Sequence, residues 1–147
     1  MGAPLEPPTM IDGALHQLFA THLPEFHWTR IETGGTGRGI PDTNYCIGGI
    51  EGWIEFKFTT GWRSPIRVEQ NGWLQRRSRA GGRTFVATRR KAPGGPRSPS
   101  SDALWLHRGA DAQLLMQQRL NEVQPLGTWD GGPARWAWDE IRLELTK

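Results

Sequence analysis

A chain of 147 residues has room for one compact domain with a sizeable core and too little for two of ordinary size. Its one cysteine, Cys46, excludes an internal disulfide, no apolar run reaches membrane-spanning length, and the N-terminus lacks the basic-then-apolar plan of a secretory signal; a reducing, cytoplasmic setting without a membrane partner is expected. The net charge of +3 hides an uneven layout, because Arg76, Arg77, Arg79, Arg83, Arg89, Arg90 and Lys91 fall close together. Such a cluster suits a polyanion, and it also describes an ordinary solvated face.

Residues 1–9 are proline-rich and aperiodic and read as a flexible leader to a single domain over 10–147. Ile11, Leu15, Leu18, Phe19 and Leu23 recur at helical spacing and predict a helix over 10–22, with Asp12 in its first turn and Pro24 ending it. Alternation in the segment after Pro24 predicts a short strand that dissolves into the glycine loop leading to Arg38. "TNYCI" and "GWIEFKF" read as two strands joined by a glycine turn, so 40–58 is a hairpin. Ser64 and Pro65 suit the cap and first position of a helix whose apolar side is Val68, Trp73 and Leu74 and whose stop is Gly81 or Gly82. "RTFVAT", 83–88, is a strand, and "RRKAPGGPRSPSS" reads as a mobile loop. A strand at 103–107, a helix near 110–120 and an amphipathic piece from 133 complete the chain. This order predicts an α/β fold, a mixed central sheet flanked by helices, with α+β as the alternative. Most of the eight tryptophans belong to a core or its shell, leaving one or two free to stack on bases.

Chemistry concentrates in the hairpin. In a strand, Ile54, Phe56 and Phe58 face the core while Glu55 and Lys57 share the other face, roughly 7 Å apart. Asp42 lies on the preceding arm, where antiparallel pairing brings opposed residues to about 5 Å and so sets it beside Glu55. Two carboxylates that close repel unless a cation lies between them or one holds a proton. Hard oxygen ligands suit Mg²⁺ or Mn²⁺, with the Phe56 backbone carbonyl able to complete the protein's share. Beside them the Lys57 ammonium can orient water or stabilise charge growing on a phosphate. On the bland reading Asp42 is a turn residue and Glu55 with Lys57 an exposed ion pair worth less than about 1 kcal/mol. His16, His22, His27 and His107 lack metal spacing and read as structural; no zinc site is expected.

Pro41-Asp42, followed after a spacer by Glu55-Phe56-Lys57, resembles the signature of the PD-(D/E)XK nuclease superfamily. The stretch "RVEQNGWLQRRSRAGGRTFVA" is similar to the helix and strand that follow it in the virus-type replication-repair nuclease (VRR-NUC) branch, near the Holliday junction resolvases. The resemblance covers about residues 34–90. It implies a restriction-endonuclease-like core, Asp42 and Glu55 as metal ligands, Lys57 as the catalytic lysine and Gln70 as an active-site helper. It also implies an acidic residue on the first helix. That helix holds only Asp12 at its start, with Glu25 and Glu32 just beyond it, and Glu25 is the candidate carried forward.

The function expected is Mg²⁺-dependent (or Mn²⁺-dependent) DNA endonuclease activity, selective for branched, flapped or four-way-junction DNA, as in phage or prophage DNA processing. Arg38 and Arg67 beside the motif and the arginines and lysine of 76–91 are the candidate DNA contacts, mainly to phosphates. A symmetric four-way junction needs two active sites and hence a homodimer; no small-molecule cofactor is expected. The rivals are a catalytically silent nucleic-acid-binding module of the same fold and a nuclease acting on RNA. Against the silent module stand paired carboxylates, which repel phosphate and serve no binding purpose.

Overall fold

The computed structural model of the protein describes residues 12–32 and 38–147. The leader expected at 1–9, the first residues of the helix expected from 10 and the middle of the glycine loop lie outside the described residues. Helix α1 (Leu15–His22) precedes β1 (His27–Arg30), β2 (Thr43–Ile47) and β3 (Ile50–Thr59), followed by α2 (Val68–Arg79), β4 (Thr84–Ala92) and β5 (Ser101–Arg108). Helix α3 (Ala112–Gln117), β6 (Gly127–Trp129) and α4 (Trp138–Thr146) end the chain. The strands form one sheet in chain order, antiparallel throughout except for β3 and β4. Those two are parallel because α2 carries the chain back between them. The mixed sheet flanked by helices is the α/β class the sequence predicts.

Alternation along β4 divides the core between the two faces. Phe85 and Ala87 join Leu15 and Phe19 of α1, Ile54 and Phe56 of β3, and Ile141 and Leu145 of α4. Val86, pointing the other way, joins Leu74 of α2 with Ala112 and Leu115 of α3.

Several elements depart from the sequence reading for local reasons. Helix α1 starts at Leu15 because Gly13 and Ala14 take left-handed φ values of 66° and 62°, which a right-handed helix does not admit. Helix α2 starts at Val68, not Pro65: the Ser64 hydroxyl bonds Thr88 Oγ1 at 2.9 Å instead of capping, and Gln70 Oε1 accepts the Arg67 N–H at 3.0 Å. The expected mobile loop is largely hairpin, since β4 runs on to pair Ala92 with Ser101 and Gly95 bridges Ser98 beyond it. The helix expected at 110–120 is broken into two short 3₁₀ turns around α3. Strand β6 was not foreseen; it is three residues long and begins at a glycine, and its Trp129 is buried against the sheet.

One mismatch in length positions everything that follows. Strand β3 has 10 residues and β2 only 5, and their register stops at Thr43 opposite Ile54. From Glu55 onward β3 is paired with β4 on one side and with no strand on the other.

Candidate active site

Asp42, Glu55, Phe56 and Lys57 gather at this open edge. The Phe56 N–H donates to Asp42 Oδ2 at 3.1 Å, and the Asp42 N–H donates to Glu55 Oε2 at 3.2 Å, so each acid is held by the other's strand. Within a strand a residue's N–H and C=O leave by the same edge, so the Phe56 carbonyl opens toward Asp42. Across the sheet face, Gln70 on the first turn of α2 donates Nε2 to Glu55 Oε1 at 2.7 Å. Lys57 Nζ stands 3.3 Å from the same oxygen. The four residues singled out from the sequence are therefore in one constellation, and Glu55 at its centre is 1 % exposed. Burial first, and the Asp42 charge second, push the Glu55 carboxyl up to about 8, with Lys57 opposing.

Two residues from the α1 segment join the same cleft, whose volume is about 530 Å³. Asp12 lines it, and burial together with the Asp42 charge holds its carboxyl above the usual range. His16 has Nδ1 2.9 Å from Thr43 Oγ1 and its ring edge on Phe56; burial lowers its proton affinity, reinforced by Arg30. Glu25, carried forward from the sequence as the first-helix acid, is instead ion-paired with Arg142 of α4 and lines no part of the cleft. Asp12 is the acid the sequence places at the start of that helix, and what brings it to the cleft is the left-handed turn after it, which is not a periodic feature.

The basic residues do not form one face. Arg67 lines the cleft and, with Arg38, an adjoining one of about 380 Å³; Arg30, absent from the sequence candidates, lines the first as well. Arg76 and Arg79 are exposed on the last turn of α2, and nine helical residues from Gln70 to Arg79 amount to about 13 Å. Beside them Arg77 covers the Trp73 and Trp53 rings, and Arg83 donates to the Lys147 carbonyl. Arg89 is committed internally, to Asp102 and to the Gly13 carbonyl. Arg90 bonds the Gly61 carbonyl and lies 3.7 Å over Trp62, while Lys91 is exposed beside Asp130 and Arg135.

The residues fit a hard divalent cation. Asp42 Oδ1 and one oxygen of Asp12 have no protein donor among the described residues, and burial first, with the neighbouring Asp42 charge second, raises the proton affinities of Asp12 and Glu55. Among the described residues no group of three His, Cys, Asp or Glu side chains is set to hold an ion alone. A carbonyl, water and substrate oxygens would share the coordination, as Mg²⁺ prefers.

No family model matches the chain, and no curated protein matches it. Among solved structures it is similar to Hjc, a Holliday junction resolvase of the archaeal hyperthermophile Archaeoglobus fulgidus, with a TM-score of 0.48 and 18 % identity over 69 % of this chain and 76 % of that one. A likeness of that degree carries no functional weight, which rests on the cleft. No helix among the described residues is long and apolar enough to cross a membrane.

Proposed function

We propose that this cleft hydrolyses phosphodiester bonds in DNA with Mg²⁺ or Mn²⁺ as cofactor, in the manner of PD-(D/E)XK nucleases. The observation that supports this most is the convergence of Asp42, Glu55, Lys57 and Gln70 at the unpaired edge of β3, with Glu55 buried beside the Asp42 carboxylate. Asp42, Glu55 and the Phe56 carbonyl would hold the ion, with Asp12 as the further acid in place of Glu25. When bound, the ion supplies positive charge against a phosphoryl oxygen and acidity to a neighbouring water. Gln70 fixes Glu55 Oε1, which leaves the carboxylate plane no freedom to swing away. Lys57, held beside that oxygen, presents its remaining N–H donors to the water and to charge developing on the phosphate. Arg67, Arg38 and Arg30 line the approach and suit the phosphates on either side of the scissile one.

A branched or four-way-junction substrate, and the paired copies a symmetric junction would need, follow from the sequence resemblance to the resolvase-like branch, as does a place in phage DNA processing. The test is cleavage of matched single-stranded, duplex, flap and four-way-junction DNA, and of RNA counterparts, with Mg²⁺, Mn²⁺ or EDTA, beside Glu55→Gln. Metal-dependent cutting that disappears in Glu55→Gln is the expected result. Tight binding without cutting under either metal would make the protein a silent binding module instead, and cutting confined to RNA would replace the substrate.

A further inference from the structure

Arg89 stood among the candidate DNA contacts in the sequence, and its surroundings assign it other work. Its guanidinium is spent on two partners from opposite ends of the chain. Nε and Nη2 donate to Asp102 Oδ1 and Oδ2, both at 2.8 Å, and Nη1 donates to the Gly13 carbonyl at 2.7 Å. The pair is mostly buried, with side chains 13 % and 20 % exposed. Asp102 is itself anchored. Its carbonyl accepts the Trp136 indole N–H and the Gly132 N–H, its own N–H bonds Asp130, and the Trp136 ring faces the guanidinium.

The other end of this bridge is the turn that presents Asp12. Gly13 and Ala14 are both left-handed, and Ala14 is the one residue other than glycine with positive φ among the described residues. A non-glycine residue is disfavoured in that region and persists there where its surroundings impose it. Two contacts impose it here: the Arg89 bond to the Gly13 carbonyl and the Ala14 N–H bond to Asp12 Oδ1 at 3.0 Å. A side chain on Gly13 would press on Arg89 and Phe58, so the turn is seated directly on the clamp.

We infer that Arg89, locked by Asp102, is a positioning residue that holds the left-handed turn at Gly13 and Ala14 and thereby fixes Asp12 in the cleft. The inference rests on the nuclease reading for what Asp12 does there, and on geometry alone for what holds it. Arg89→Lys keeps the charge, and so any grip on phosphate, but a single ammonium cannot span a carboxylate and a carbonyl as the planar fork does.

The experiment measures Mn²⁺ binding to Arg89→Lys by calorimetry, the Mg²⁺ needed for half-maximal cleavage, and DNA affinity against salt. Outer-shell positioning partners are worth roughly tenfold to a hundredfold in metal affinity. A loss of that size is expected in both metal readouts, with DNA affinity and its salt slope unchanged and with no further loss when Asp12→Asn is already present. Unaltered metal dependence, a weakened salt slope, or an equal loss on top of Asp12→Asn would overturn the assignment. Hydrogen exchange at the Ala14 amide needs neither metal nor substrate. It should quicken in Arg89→Lys, and no change there would overturn the clamp even if wild type neither bound Mn²⁺ nor cut DNA, a result that would by itself sink only the nuclease reading. Should Arg89→Lys fail to fold, Asp102→Asn makes the same comparisons.

Discussion

Glu55 should make the metal-free protein's stability fall as pH rises, the reverse of the usual behaviour of a carboxylate paired with a lysine. In the unfolded chain its carboxyl has the ordinary value of 4.5, and in the fold burial beside Asp42 raises it to about 8. The folded state therefore holds the proton more tightly. Its contribution is full below pH 4.5, declines by about 1.4 kcal/mol per pH unit above that, and is gone once pH passes the folded value. Over the whole window this amounts to roughly 5 kcal/mol, a third or more of the stability of a typical domain. Urea unfolding in EDTA, at steps from about pH 5 to 9, measures it as the difference between wild type and Glu55→Gln, which cancels the titrating groups that do not interact with Glu55. Wild type should lose roughly 3 kcal/mol relative to Glu55→Gln between about pH 5.5 and 7.5. On the proposed nuclease reading, saturating Mg²⁺ should restore much of the loss at the alkaline end, because a ligand of the folded state alone stabilises it. Parallel pH profiles for the two proteins would refute the reasoning, since they would mean that Glu55 is ionised in the fold as readily as in the unfolded chain.

Lys57→Ala should reduce single-turnover cleavage by roughly a hundredfold or more while DNA affinity in EDTA stays near wild type, because in the proposed mechanism the ammonium serves the reacting phosphate rather than docking. Removing Arg38 and Arg67 together should lower the slope of log affinity against log salt by about 2, and removing Arg76 and Arg79 by less, as those two lie at the far end of α2 from the cleft. Gly39→Ala should cost about 1–3 kcal/mol in urea unfolding and impair cleavage as well. Gly39 has φ of 88°, and its added Cβ would fall 2.2 Å from the Glu69 carbonyl oxygen, displacing the segment that leads to Asp42.

What the sequence shows well is whatever a local pattern dictates. Alternation in "GWIEFKF" places Ile54, Phe56 and Phe58 toward the core and puts Glu55 beside Lys57; the structure agrees for all but Phe58, which is only half-buried near the end of the strand. The hairpin follows from Gly48 and Gly49, whose φ values of 54° and 82° suit the tight turn. Asp12 and His16 are not legible as cleft residues in the sequence because they reach the cleft through a left-handed turn and a helix packed across the sheet, and neither leaves a period. The basic cluster misled for a related reason. Nearness in sequence between Arg76 and Lys91 spans a helix end, a turn and a strand, so consecutive charges leave in different directions, and Arg89 is turned inward by Asp102, which follows it by an entire hairpin arm.

The location of the cleft follows from strand length more than from any single residue. Had β2 run as far as β3, its amides would pair the edge of Phe56, and Asp42 would be one more cross-strand side chain on a covered surface. Because β2 begins only at Thr43, the Phe56 N–H is free to take Asp42 as its partner and the Phe56 carbonyl is left for something else. Residues from the two helical layers, His16 from one and Gln70 from the other, reach the same space only at such a gap, since elsewhere the sheet separates them. The acids meet there out of water and beside one another's charge, and both effects, burial first, raise the proton affinities of Asp12 and Glu55. On the nuclease reading we propose, carboxylates held in this condition suit a cation, and a cation at this strand edge, with Arg30 and Arg67 lining the same cleft, would meet a phosphate.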